Sequence, residues 1–547
     1  MKHPLLFSLA LLAAAPLPAQ IDAPKNPMTA LLPQPDEPVV LAALRAIVVV
    51  PDESAAASAA PAAGLETSRV PWLQGAEFAR DVMPFLGQPV SLGSLERLQQ
   101  VIRLHLQFAS RPFARVYAPP QDITDGTVRI VVQLATLDGD VRLDGTKWFA
   151  RERYTGALRL RPGEALDAAA LHADLAWLNR NPFSRVTPVI EAGEKPGTTR
   201  VTLRAEERCP FTLNAGWSNT GTKATGEQRA NAGLQWGNAF GRGDLLSLGV
   251  AGDTEWKHLR SYNAAYTAFL PWRHVLSWQG AYSNLSSALP EPFAQAGKSW
   301  QVGARYEIPL QATRAGARQN LSFSADFKYS DNTLEFAATP ITGNVTHIAQ
   351  LGAHYDLGFA AFGGRNDLRL EAVASPGGFT AENDDTAFAG SRPGAKAAYG
   401  YAKLGLRHQR TLGAWSLTVS ADTQFASGAL LGSEQLNGGG SAAVRGYRES
   451  SAFGDWGAVG SAELHAPGFA LVKGRDRADL FAFVDAASLR LHEDDDGTDL
   501  VSAGLGVNYQ FGALFSLRAA YGWQLRAIDS SRGVYSGRGH VSANLNW

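Results

Sequence analysis

From Cys209 to Trp547 the sequence alternates in twos, and this period restricts the fold more than any other feature of the chain. Leu321, Phe323, Ala325, Phe327 and Tyr329 are interleaved with Ser322, Ser324, Asp326, Lys328 and Ser330. Successive side chains of a β-strand point to opposite faces, so each such run has one apolar face and one polar face. The rule returns in Val501, Ala503, Leu505, Val507 and Tyr509, in Leu517, Ala519, Tyr521, Trp523 and Leu525, and in Val541, Ala543, Leu545 and Trp547. The polar phase carries Asp326, Lys328 and Arg518, which a water-filled interior accepts and a lipid-facing surface does not. The apolar phase therefore faces outward. A soluble sandwich also alternates, but it packs its apolar faces together, whereas Trp217, Trp236, Trp272 and Trp523 near strand ends suit aromatic girdles at two membrane interfaces. About 340 residues, at roughly 20 per strand with its connection, predict an antiparallel transmembrane β-barrel of about sixteen strands over residues 208–547.

The N-terminal part follows other rules. Met1-Lys2-His3, the apolar run Leu5–Ala15 and the small residues up to Gln20 predict a signal peptide over residues 1–20, too short to span a bilayer. Residues 21–38 form a Pro-rich lead segment. Leu44–Val50 then predicts a strand, Ala55–Gly64 an Ala-rich loop, and Trp72–Phe85 a helix. A second helix carries Leu95, Leu98, Ile102 and Leu106 on one stripe, capped by Ser91 or Ser94. Arg115–Tyr117 and Val128–Gln133 complete the unit around Asp125-Gly126. The order strand, helix, helix, strand, strand recurs at once: a strand over Asp140–Leu143, helices over Lys147–Leu158 and after Asp167, then strands Val186–Ile190 and Arg200–Arg204. Two α+β modules, 39–136 and 137–207, are expected, each with two helices on a three-stranded sheet. An open sheet edge offers an extended peptide a place to add, or else the modules are spacers with protected edges.

Composition and motifs narrow the function. With 547 residues and a formal charge of −1, the chain has no basic field to hold nucleic acid. A single cysteine, Cys209, rules out an internal disulfide framework, and three methionines leave little soft-metal chemistry. There is no His-Glu-x-x-His, no Gly-x-Ser-x-Gly elbow and no phosphate-cradling loop, so neither an enzyme nor a cofactor is expected. His105 and His172 are read as partly solvated helix residues. The acidic runs Glu382–Asp385 and Glu493–Asp496 are read as extracellular loops without the spacing of a calcium loop.

The remaining motif is Val444-Arg445-Gly446-Tyr447, which follows a Gly-rich stretch and precedes the strand pattern Phe481, Phe483, Asp485. Alternation puts those three on one face. If that face lines a lumen, an inserted loop offers Arg445 to Asp485, in a wet interior that softens the ion pair. These residues resemble the Val-Arg-Gly-Tyr/Phe motif and the Phe-x-Asp strand motif of the two-partner secretion transporters, the haemolysin secretion/activation proteins of the Omp85 superfamily. Ala487 stands where that pattern usually has Gly. Leu178-Asn-Arg-Asn-Pro182, Pro196–Thr199, Gly454-Asp-Trp-Gly457 and Glu463-Leu464 agree with the same group.

The resemblance implies two tandem POTRA domains in the periplasm and a barrel in the outer membrane of a Gram-negative bacterium. It implies a secreted, unfolded exoprotein of haemolysin or adhesin type as partner, recognised by the POTRA domains and threaded through the barrel without nucleotide hydrolysis. Trp547 takes the place of the C-terminal aromatic read by the barrel assembly machinery, and outer-membrane lipid is the remaining partner. An Omp85-type assembly factor for other barrels is the alternative in the same superfamily. A passive porin or a barrel enzyme is the alternative of another class, for which the loop and the modules have no use.

Overall fold

A computed structural model describes residues 38–59, 63–287, 293–310, 316–336, 339–492, 497–528 and 536–547. The signal peptide, most of the lead segment and the run Glu493–Asp496 lie outside the described residues. The chain forms two compact units. One holds residues up to Gly145 with Tyr154–Asn179 and Val186–Ala205; the other holds Thr146–Arg153, Arg180–Arg185 and Glu206–Trp547.

The first module contains β1 (Val39–Leu41), β2 (Ala46–Val50), α1 (Glu53–Ala57), β3 (Gly64–Glu66), α2 (Ala76–Val82), β4 (Val90–Ser91), α3 (Leu92–Phe108), β5 (Arg115–Tyr117) and β6 (Thr127–Gln133). Its sheet runs β3-β2-β6-β5, and β1 pairs separately with β4. Every residue of β2 is buried, as expected for a central strand flanked by parallel neighbours. Ile47 and Val49 pack with Phe78, Leu98, Ile102, Leu106, Val128 and Ile130. Both candidate cap serines act at α3: Ser91 Oγ accepts from the Ser94 N–H (2.9 Å) and Ser94 Oγ from the Ser91 N–H (2.8 Å). His105 is tied by Nε2 to Asp81 (2.9 Å) and stands edge-on to Phe78, so it is a structural side chain. Two expectations are corrected. The sheet has four strands, because Gly64–Glu66 pairs with β2, and part of the Ala-rich segment is α1. Asp52 caps that helix through the Ala55 N–H (2.8 Å), and alanine is the best helix former.

The second module comprises β7 (Thr136–Leu137), β8 (Arg142–Asp144), α4 (Arg151–Thr155), α5 (Ala168–Leu178), β9 (Ser184–Ala192) and β10 (Thr198–Glu207). β10 runs parallel to β7 and β8 and also pairs with β9. Asp167 caps α5, which buries Leu171, Leu175 and Leu178. The helix expected over 147–158 shrinks to α4. The N–H groups of Lys147 (2.7 Å), Trp148 and Phe149 (3.2 Å) all turn to the Glu207 carboxylate, which holds them out of a helical ladder.

The barrel strands are β11 (Phe211–Ser218), β12 (Arg229–Ala239), β13 (Asp244–Asp253), β14 (Leu259–Phe269), β15 (Val275–Ser287), β16 (Phe293–Leu310), β17 (Arg318–Phe336), β18 (Thr339–Ala361), β19 (Gly364–Ser375), β20 (Tyr399–Leu412) and β21 (Trp415–Ala426). After a loop holding the two-residue strands β22 (Leu436–Asn437) and β23 (Phe453–Gly454) come β24 (Trp456–His465), β25 (Asp476–Arg490), β26 (Thr498–Phe511), β27 (Phe515–Gln524) and β28 (Gly537–Asn546). Apart from β22 and β23 these sixteen strands close into one antiparallel barrel, β28 returning to β11. The alternation holds: on β25 Leu480 and Val484 are exposed, while Phe481, Phe483, Asp485 and Ala487 are buried. Phe211, Trp236, Phe240, Tyr266 and Trp278 form a chain of ring contacts near the inner ends of β11–β15. A second aromatic row, Tyr262, Tyr282, Trp300 and Tyr329, runs in register across β14–β17 towards their outer ends. Among the described residues one helix interrupts the β-domain, α6 (Asp385–Ser391) in the loop after β19. Asp384 of the acidic run caps it through the Ala387 N–H (2.7 Å), and it buries Phe388.

Candidate functional site in the barrel lumen

The connection between β21 and β24, residues 427–455, is the sixth outward loop and turns back into the lumen. Its stem is the β22–β23 pair, and its tip carries Val444–Tyr447. Arg445 is 5% exposed and Asp485 0% exposed. The Arg445 guanidinium donates through Nε to Asp485 Oδ2 (2.7 Å) and through Nη2 to Asp485 Oδ1 (2.7 Å), while its own backbone N–H also reaches Oδ2 (3.0 Å). This is the bidentate fork that arginine makes and lysine cannot. Ser461 Oγ donates to Asp485 Oδ1 (2.7 Å) and accepts from Arg445 Nη2 (3.1 Å), and Nη1 pairs with Glu463. The guanidinium carbon lies 3.5 Å from the centre of the Phe483 ring. Glu463 is shared with Arg518 (2.7 Å), whose own guanidinium covers Phe481.

The softening by a wet lumen expected from the sequence does not apply to this pair. Two phenyl rings and the loop itself exclude water from it, and the desolvation cost is offset because every carboxylate and guanidinium face has a partner.

The flanking motif residues each have a geometric task. Gly446 has φ +88°, and a Cβ there would stand 2.7 Å from the Gly522 carbonyl oxygen, so this turn admits glycine alone. Its N–H donates to His540 Nε2 (3.2 Å), and its carbonyl accepts from Gln524 Nε2 (2.7 Å). Tyr447 is fully buried; its hydroxyl lies within hydrogen-bond distance of the carbonyls of Val501 (2.9 Å) and Arg526, which share its one proton. Val444 packs with Tyr447, Ala487, Leu489 and Leu500, so Ala487 supplies a side chain to this contact where the resembling pattern has none. Trp547 lies at the barrel seam: its N–H donates to the Leu213 carbonyl (2.8 Å) and its carbonyl accepts from Leu213 N–H (3.0 Å), with the ring exposed.

Sequence reasoning missed a second set of contacts at the root of the same loop. Glu434, almost fully buried, accepts from Lys328 Nζ (2.6 Å), Gln350 Nε2 (2.7 Å), Tyr401 hydroxyl (3.1 Å) and Ser433 Oγ (3.0 Å). On the other leg Asp455 binds Arg392 Nη2 (2.7 Å), Leu430 N–H (2.9 Å) and His492 N–H (2.9 Å). Gln424 Nε2 joins the legs, donating to the carbonyls of Glu434 (3.1 Å) and Asp455 (3.0 Å). Burial alone would raise both carboxyls. Lys328 beside Glu434 and Arg392 beside Asp455 hold them below the ordinary carboxylate range. The sequence signal that could have found Glu434 is weak: an acid in a loop, opposite a wall strand whose lumenal phase contains a lysine.

The register also divides the wall. Inward positions of β11–β15 are Asn214, Asn231, Gln235, Ser247, Asn263, Gln279 and their small neighbours, with Arg229 facing Asp253 at the outer end. Those of β17–β20 include Asp326, Lys328, Glu371, Lys403 and Arg407. The tip of the loop docks on β24–β28 and its root on β17–β21.

Comparisons agree with this architecture. Residues 197–509 match the family described as haemolysin secretion/activation protein ShlB/FhaC/HecB, and residues 63–133 match the ShlB-type POTRA domain. The chain is 27% identical over 401 residues to the outer membrane transporter CdiB of Dickeya dadantii (strain 3937), covering 70% of this chain and 68% of that protein. It is 28% identical over 258 residues to the outer membrane transporter CdiB-2 of Burkholderia pseudomallei (strain 1026b), covering 46% of this chain and 42% of that one. In fold it is similar to CdiB from Escherichia coli, with a TM-score of 0.77, 19% identity and coverage of 94% of this chain and 91% of that one. A closed sixteen-stranded barrel, a POTRA match before it and a family match over residues 197–509, more than half of the chain, place this chain in the haemolysin secretion/activation protein family, as an outer-membrane transporter with periplasmic POTRA domains.

Proposed function

We propose that this protein exports an unfolded secreted exoprotein through its lumen, with Arg445 and Asp485 as the lock that holds the sixth loop in the pore between transport events. The observation that carries the reading is the buried, bidentate Arg445–Asp485 pair between the long connection 427–455 and the barrel wall. A passive porin needs no such pair, and a barrel without a passenger has no use for the two modules that precede it in the chain. Exposed edges of the POTRA sheets suit an extended segment of the passenger, added strand to strand. On this reading Val444, Gly446 and Tyr447 seat the loop, Phe481 and Phe483 cover the guanidinium, and Trp547 is the signal read by the barrel assembly machinery. The apolar outer face takes outer-membrane lipid.

The test is deletion of residues 39–204. The remaining barrel should insert and keep heat-modifiable migration on gels, while surface appearance of the cognate exoprotein falls to background. Normal export by the bare barrel would refute the assignment of the modules.

A further inference from the structure

The lock at the loop tip leaves Glu434 unexplained. It lies on the near leg of the loop, before the β22–β23 stem, and its carboxylate is the acceptor for side chains from three wall strands: Lys328 on β17, Gln350 on β18 and Tyr401 on β20. Gln350 is itself held by the Tyr399 hydroxyl (2.6 Å), and Leu430, a few residues earlier, sits in an apolar cluster with Ile348, Phe388, Tyr399 and Tyr401. A carboxylate so buried is retained only where its partners are fixed, and these partners are fixed by strand register rather than by the loop. The tip, by contrast, is held on the strands that follow in the wall, by Ser461, Asp485, Gln524 and His540 on β24–β28. The loop thus runs between two anchors of unlike charge. At the tip a loop guanidinium enters a fork on the wall, with Gly446 and Tyr447 bonded beside it; at the root a loop carboxylate gathers side chains from three wall strands.

We propose that Glu434 is a positioning residue for transport: it keeps the root of the sixth loop on β17–β20 while the Arg445 tip releases, so that the tip swings toward the root wall and the neutral face of β11–β15 is left clear for the passenger. The proposal rests on the export reading of the lumen. Its content is an asymmetry: locking the root is compatible with opening, and locking the tip is not.

The asymmetry is tested in full-length protein carrying Cys209→Ser, reconstituted in planar lipid bilayers with KCl as the only probe. One variant carries Lys328→Cys with Glu434→Cys, the other Arg445→Cys with Asp485→Cys, each before and after a short bifunctional thiol reagent. Heat-modifiable migration first establishes that each barrel is closed. Without the reagent, the root pair should show more open levels than the parent, because the loop no longer returns to one position. Linking the root should restore the parent level and opening frequency, a rescue that a merely structural residue would not give. Linking the tip should cut opening frequency at least about tenfold. If the linked root suppresses openings as the linked tip does, or if the unlinked root pair behaves as the parent, Glu434 has no such role. Glu434→Gln with Lys328→Met repeats the test without cysteines, and parent-like traces from it also overturn the proposal. Loss of export by the root-linked variant, with KCl openings that match the parent, would count against the export reading and leave the hinge standing.

Discussion

At the scale of residues, the proposed lock turns on one buried charge pair. Arg445→Ala leaves Asp485 without its counter-ion in a dry site, and breaking such a pair typically costs about 3–5 kcal/mol. At about 1.4 kcal/mol per factor of ten, the undocked loop should become at least about 100-fold more populated. Ser502, fully buried on the inward face of β26, reads this out: Ser502→Cys in a Cys209→Ser chain should react with a water-soluble maleimide about 100-fold faster once Arg445 is replaced. Arg445→Lys should fall between, since an ammonium cannot reach Asp485 twice and Glu463 as well. Unchanged labelling in Arg445→Ala would mean that the pair does not hold the loop.

The root should respond to acid in a defined direction. Glu434 and Asp455 are held below their ordinary values, so their contribution is complete at neutral pH and is lost as pH falls through the lowered values. Proteolysis of loop residues 427–455 from outside should stay slow down to about pH 4 and accelerate only below it. Release on raising the pH would contradict this. The two anchors also differ in how far the sequence discloses them. Arg445 and Asp485 sit in short motifs, and strand phase alone turns Asp485 inward. Glu434 sits in a loop without phase, and its partner Lys328 is 106 residues away, so nothing periodic connects them.

Among elements, capped helices and alternating strands were legible and competing local bonds were not. Ser91, Ser94 and Asp167 mark their helices correctly, because a cap is a property of neighbouring residues. The helix over 147–158 failed for a non-local reason: Glu207, on a later strand, takes the N–H groups of its first turn. The motif Asn179-Arg-Asn-Pro182 was recognised by resemblance, and its physical use becomes clear only in three dimensions. Asn181 is buried and donates both amide hydrogens, to the carbonyls of Gly237 (2.6 Å) and Gly243 (2.8 Å) at the first inner turn of the barrel. Asn181→Ala leaves two carbonyls without a donor, at a cost of about 1–3 kcal/mol. Trypsin should then cut at Arg208 faster than in the parent, and Asn181→Asp, which sets an acceptor against two acceptors, should be more sensitive still. Equal cutting in all three proteins would show that the turn is held by other contacts.

In the barrel unit as a whole, hydrogen bonding is unevenly distributed around the wall. The seam is short, running from Leu213 beside Trp547 through Asn214–Ser218 with Ser542–Asn546 to Asn219 beside Val541, whereas β16 and β17 pair continuously from Phe293 with Phe336 to Leu310 with Gln319. Amide exchange should therefore begin at β11 and reach the centre of β17 last; simultaneous exchange would contradict this. The strand lengths are as unequal as the pairing. β11 has 8 residues and β18 has 23. With a rise of about 3.3 Å per residue and a tilt near 40°, β18 climbs about 58 Å and β11 about 20 Å, against an apolar band of about 25 Å. The aromatic row through Trp300 and Tyr329 marks the outer interface on the tall side, and the ladder continues past it to Phe293 and Phe336. The mouth is thus cut obliquely, like a spout: a polypeptide leaving it meets a screen of β16–β18 on one flank and open water on the other. Its first folded turns would gather beside the barrel and close to the membrane surface, on the side of the short strands, rather than above the opening they came from.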